Sequence, residues 1–135
     1  MRIQAVAASL TERDQRICSD LLEHRVLTTI QLFELHFGSY NRARDRLLHL
    51  YRMGVLWRTR PRRRRGSLPF HYVLDDLGAL VVAESRGVDL AALGYYFYRT
   101  LGMVESPRLQ HLREINSFFS RLAHTCRLTA GRYSL

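Results

Sequence analysis

Residues 39–74 read SYNRARDRLLHLYRMGVLWRTRPRRRRGSLPFHYVL. Ser39 offers a side-chain oxygen to cap a helix of about Tyr40–Met53, and Gly54 follows where a helix end wants a residue tolerant of positive φ. At about 100° per residue, Ala43, Leu47 and Leu50 fall on one face with Tyr51 beside them. Asn41, Arg42, Asp45, His49 and Arg52 fall on the other, while Arg44 and Arg46 flank the apolar stripe on opposite sides. Val55–Arg60 and Phe70–Leu74 are short β-prone runs. The loop from Pro61 to Pro69 has turn residues at both ends, so strand, loop and strand predict a hairpin.

Upstream, Thr11 is placed to cap a helix of about Glu12–His24, with Glu12 and Asp14 in the first turn where the helix dipole favours acids. Ile17, Cys18, Leu21 and Leu22 supply its apolar stripe. Thr28 and Gln31 have capping-box spacing at the head of a second helix. Leu32, Leu35 and Phe33 form its buried side, and Gly38 ends it. Three helices followed by a hairpin is the order of a winged helix-turn-helix, whose third helix enters the DNA major groove while the hairpin lies beside it.

Downstream, Asp75 or Asp76 caps a helix to about Ser85, and Gly87 closes it. Asp89–Leu101, with the aromatic run Tyr95–Tyr98, reads as helical. Ser106-Pro107 signals another start, a cap followed by proline at the first helical position. From there Leu112, Ile115, Phe119, Leu122 and Cys126 step by 3, 4, 3 and 4 residues, a short heptad seam suited to a helix–helix interface. The expected fold is mainly α with a small β-hairpin. Residues 1–87 are expected to form the winged helix-turn-helix, and residues 88–135 a C-terminal helical segment for dimerisation.

The chain's 21 basic residues are all arginine, and its formal net charge is +9. Residues 39–74 hold ten of those arginines against one acid, Asp45; the other residues hold eleven of each sign and cancel. Such local concentration is the electrostatic footprint of a polyanion, most often nucleic acid. Arg58, Arg60, Arg62, Arg63, Arg64 and Arg65 repel one another within eight residues unless a polyanion neutralises them, which favours phosphate contact or minor-groove insertion.

At 135 residues the chain can bury one core. No run approaches the roughly 18 apolar residues of a membrane span. Met1–Leu10 is a poor signal peptide and is expected to fray. Cys18 and Cys126 form no C-x-x-C, which disfavours zinc fingers and disulfide frameworks and fits a reducing cytoplasm. The six histidines are scattered along the chain. There is no His-x-His triad, no carboxylate set beside the basic segment and no phosphate-binding glycine loop. The sequence therefore predicts a non-enzyme with no cofactor and no metal.

Leu10–Gly78 also resembles a known family. The matching residues are Leu10-Thr11-Glu12-Arg13-Asp14, Leu22–Leu32, Arg42-Ala43-Arg44-Asp45-Arg46-Leu47 and Met53-Gly54-Val55-Leu56. Arg63–Ser67, Phe70–Asp75 and Gly78 complete the set. In these it is similar to the replication-relaxation proteins of actinobacterial plasmids, phages and integrated elements. The second half is shared more loosely with PadR-like and MarR-like regulators. The resemblance implies a winged-helix fold and a link to the replication, transfer or control of mobile elements.

The expected partner is double-stranded DNA. The candidate recognition residues are Tyr40, Asn41, Arg42, Arg44, Asp45, Arg46, His49 and Arg52. Asn41 suits adenine, Arg42 or Arg46 suits guanine, and His49 or Tyr40 suits phosphate or base. Asp45 either accepts from cytosine or holds Arg42. Leu112, Ile115, Phe119, Leu122 and Cys126 are the candidate homodimer interface, with packing onto Tyr95–Tyr98 the alternative. No membrane and no small-molecule substrate is expected. The competing functional reading is an interaction module that docks an acidic protein or a replication or transfer enzyme.

Overall fold

A computed structural model describes residues 2–60, 69–104, 106 and 108–133. Thr11 caps α2 (Glu12–His24) reciprocally: its hydroxyl accepts from the Asp14 N–H, and Asp14 accepts from the Thr11 N–H at 2.9 Å. Thr28 and Gln31 repeat this box at the head of α3 (Thr29–His36). Ser39 caps α4 (Tyr40–Arg52), and Asp75 caps α5 (Asp76–Arg86), which Gly87 closes at φ 65°. Each box satisfies amide groups that a helix start otherwise leaves without partners.

Residues 2–9 do not fray as expected. Arg2–Ser9 form a further helix, α1, which rests on α5 with Val6 and Ala7 against the core.

The expected hairpin is present as β2 (Leu56–Thr59) and β3 (His71–Leu74), paired antiparallel from Leu56 opposite Leu74 to Thr59 opposite His71. A third strand extends it. β1 (Leu27–Thr28) pairs antiparallel with the other edge of β3, Leu27 opposite Tyr72, so β3 is central in the order β1-β3-β2. The result is a mainly α chain with a small three-stranded antiparallel sheet.

The core lies between this sheet and the helices. Ile17, Cys18 and Leu21 from α2, Leu32 from α3, Ala43, Leu47 and Leu50 from α4, and Leu56 and Leu74 from the sheet are fully enclosed. Gly78 lets α5 lie directly on the turn into β2. A Cβ there would stand 2.3 Å from the Val55 carbonyl oxygen, the same oxygen that accepts from the Asp75 N–H at 3.0 Å.

Beyond α5 the single helix expected over Asp89–Leu101 is broken. A 3-10 turn, Leu90–Leu93, ends at Gly94 with φ 65°, and α6 spans Phe97–Val104. Tyr95 turns inward and donates its hydroxyl to the Leu74 carbonyl, whereas Tyr96 and Tyr98 are exposed. α7 (Leu109–Tyr133) follows. Val104 and Leu109 join Val26 and Val73 in a second apolar cluster that seats this segment on the sheet.

Candidate nucleic-acid interface

α4 buries Ala43, Leu47 and Leu50, so its opposite face is turned outward. Tyr40, Asn41, Arg42, Arg44, Asp45, His49 and Arg52 are all exposed. Asp45 does not hold Arg42; its carboxylate lies 3.8 Å from Arg44 Nε.

Arg46 behaves differently from its neighbours. It turns back across α2 to Asp14, with Nε 3.0 Å from Oδ1 and a second bond from its terminal nitrogen to Oδ2. The Asp14 side chain is wholly buried. Burial pushes its pKa up, but the Arg46 and Thr11 hydrogen bonds and the Arg46 charge outweigh this and hold it below 3.8. The guanidinium of Arg46 is thus committed inside the chain, 32 positions from its partner.

Beside α4, the root of the hairpin fixes two more arginines. The Arg58 guanidinium carbon lies 4.0 Å from the Phe70 ring centre and 4.8 Å from that of Tyr51. Arg60 lies 4.0 Å from the same Phe70 ring. Cation–π contacts of this kind contribute about 0.5–1 kcal/mol each at exposed sites, enough to order charges that would otherwise wander. Behind them Tyr72 is buried. Its surroundings push the phenol pKa up, while nearby Arg58 draws it back. A cleft of about 190 Å³ separates the helix from this root, lined by Thr29, Tyr40, Arg44, Arg58 and Arg60 among others. The wing arginines Arg62, Arg63, Arg64 and Arg65 lie outside the described residues.

Sequence reasoning missed the aromatic cradle. Tyr51 and Phe70 flank the arginine run on either side, and that alternation of aromatic and cation was its available signal.

His71, at the start of β3, is fully buried, with Nδ1 2.8 Å from the Pro69 carbonyl. Its Nε2 and the Nε of Arg113 have no hydrogen-bond partner among the described residues. Burial is the main cause of the lowered His71 pKa, and the Arg113 charge adds to it against the Pro69 bond.

The α7 seam is where the heptad spacing put it, but α7 packs through another face. Gln31 donates to the Arg113 carbonyl and to Ser117 Oγ, both at 2.9 Å. Asn116 donates to the Val26 carbonyl at 2.9 Å, and Ser120 donates to Glu34 at 3.1 Å. Leu112 is half-buried beside the second apolar cluster. Ile115, Phe119 and Leu122 remain 41%, 50% and 50% exposed, and Cys126 is exposed as well. Phe97 of the Tyr95–Tyr98 run packs on the same cluster as Leu112, and Ile115, Phe119, Leu122 and Cys126 remain outside it.

Among the described residues, no helix is long and apolar enough to cross a membrane. Neither a curated protein nor a solved structure gives a significant match. Residues 19–133, running from the middle of α2 to the end of α7, match the family model for replication-relaxation. The chain belongs to the replication-relaxation family, which points to a role in the replication or transfer of plasmids and other mobile elements.

Proposed function

We propose that the chain binds double-stranded DNA as a winged helix-turn-helix, acting without catalysis as a regulator of transcription, replication or transfer on a mobile element. The observation that carries this reading is the juxtaposition of α4's polar face with the two ordered arginines at the hairpin root. A major groove about 12 Å wide admits one helix. With α4 inserted, Asn41 and Arg42 in its first turn reach base edges, as recognition-helix N-termini do. Tyr40, Arg44, His49 and Arg52 flank them toward phosphate. Arg58 and Arg60 meet the adjacent backbone, and Arg62–Arg65 extend the contact along it. Arg46 serves by positioning: it sets α4 against α2.

Two copies join through Ile115, Phe119, Leu122 and Cys126, with Leu112 at the edge of the seam. A two-fold axis there presents two α4 helices to successive grooves.

Binding-site selection from random duplexes, with excess non-specific competitor, tests the reading. The expected product is an enriched motif with inverted half-sites about 10 base pairs apart, or a multiple of that. Affinity without enrichment would reduce the protein to a DNA coat. Capture of an acidic polypeptide with no duplex binding would assign the surface to a protein partner.

A further inference from the structure

The ends of α2 and α3 meet, and they set His36 against Asp20, sixteen positions away. Asp20, Glu23 and His24 occupy the last turn of α2. Their spacing of three and four residues places all three on neighbouring positions of one helix surface. One ligand-competent atom from each lies within 4.8 Å of the others. His36, the last residue of α3, approaches from the side, with Nε2 2.5 Å from Oδ2 of Asp20. The His36 side chain is 8% exposed and that of Asp20 28%, while Glu23 faces solvent. The cluster thus has a closed floor on the α3 side and an open mouth.

We propose that Asp20, Glu23, His24 and His36 form a binding site for a first-row divalent cation, with Zn²⁺ as the reference ion. Two imidazole nitrogens and two carboxylate oxygens form a donor set of the type that zinc accepts in four-coordinate sites. Hard cations such as Mg²⁺ and Ca²⁺ are served instead by oxygen alone. Two carboxylates also neutralise a dication, so the loaded site carries no net charge. Ligand atoms about 2.0–2.2 Å from one ion stand roughly 3–3.5 Å apart in tetrahedral geometry. Glu23, which is exposed, and His24, which is half-buried, must therefore close in by rotamer changes, while the Asp20–His36 pair opens slightly.

An ordinary structural role explains less. The Asp20–His36 hydrogen bond alone would tie α2 to α3, but it involves neither Glu23 nor His24. A bound ion engages all four. It would also reach the proposed interface, because the His24 and Phe119 ring centres are 6.4 Å apart.

The test uses the full chain, freed of metal with a chelator, titrated with ZnCl₂ by calorimetry and followed by thermal unfolding. The expected result is one ion per chain and a melting temperature raised by about 5–10 °C at a hundredfold excess over Kd. Glu23 is exposed and His24 half-buried, so Glu23→Gln should keep the fold outright, and circular dichroism and the metal-free melting temperature check it for His24→Ala. Each should weaken binding by at least the roughly tenfold that loss of even an outer ligand partner costs. His111→Ala, on the exposed part of α7, should leave it unchanged. No binding by the wild-type chain, or binding undiminished in His24→Ala and Glu23→Gln, would overturn the proposal. None of these readouts uses DNA, so they stand apart from the reading above.

Discussion

Arg46 Nε lies 3.0 Å from Oδ1 of Asp14, and through this pair the helix proposed to meet DNA is fastened to the first helix of the motif. One end of the bridge is wholly buried and the other partly open. The guanidinium therefore acts in folding and orientation, while the exposed residues on either side of it remain available for contact.

Arg46→Ala should cost about 3 kcal/mol, because it strands a buried carboxylate. The bridge also sets a pH dependence. Asp14 has a lowered pKa in the folded chain, so its contribution is full above the ordinary carboxylate range and disappears as pH falls through the lowered value. The stability gap between wild type and Arg46→Ala should thus shrink below about pH 4. Urea unfolding at several pH values measures it; a constant gap would mean that the pair contributes no charge-dependent stability.

Asn41→Ala and Arg42→Ala should lose discrimination more than bulk affinity, since a good bidentate base contact is worth about 1–3 kcal/mol against the wrong base. Both residues are exposed, so the fold should survive. Fluorescence anisotropy on selected and scrambled duplexes separates the two effects. Equal losses on both would remove these side chains from base reading.

Neutralising Arg62–Arg65 to glutamine should weaken binding to every sequence. Each phosphate contact contributes a log–log salt slope of about −0.9 on B-DNA, so losing three or four should flatten the slope by roughly three. The same measurement on Arg60→Gln should remove about one contact. An unchanged slope in the first variant would mean that the run does not meet phosphate.

Phe119→Glu should convert a dimer into a folded monomer that binds a half-site weakly. Phe119 is half-exposed in the single chain, so a charge there is tolerated, whereas burial in a paired seam would leave it without compensation. Light scattering gives the masses directly. A one-chain mass for the wild type at micromolar concentration would remove the dimer, and an unfolded variant would place Phe119 in the core.

What was legible in the sequence was local. Thr11, Thr28, Ser39 and Asp75 announce their helices because a cap acts within three residues, and the period of α4 separates its buried face from its polar one. Relationships across the chain were not legible. β1 is two residues long and is a strand only because β3 offers it an edge. The partner of Arg46 lies on another helix, as does that of His36. α7 was read by its apolar stripe, yet it docks through Gln31, Asn116 and Ser120. A face buried by hydrogen bonds leaves no trace in hydrophobic periodicity.

The two cysteines are unequal in a way that reaches solution chemistry. Cys18 is enclosed, and burial, helped by the Asp14 charge, pushes its thiol up to about 12, whereas Cys126 stands on the surface of α7. A small thiol reagent at about pH 8 attacks the thiolate, so it should label one position in the native chain and both after denaturation. Because the accessible sulfur sits at the far end of the seam, its labelling rate should fall with rising protein concentration if copies pair there. The chain therefore carries its own chemical reporter of assembly, with no residue added.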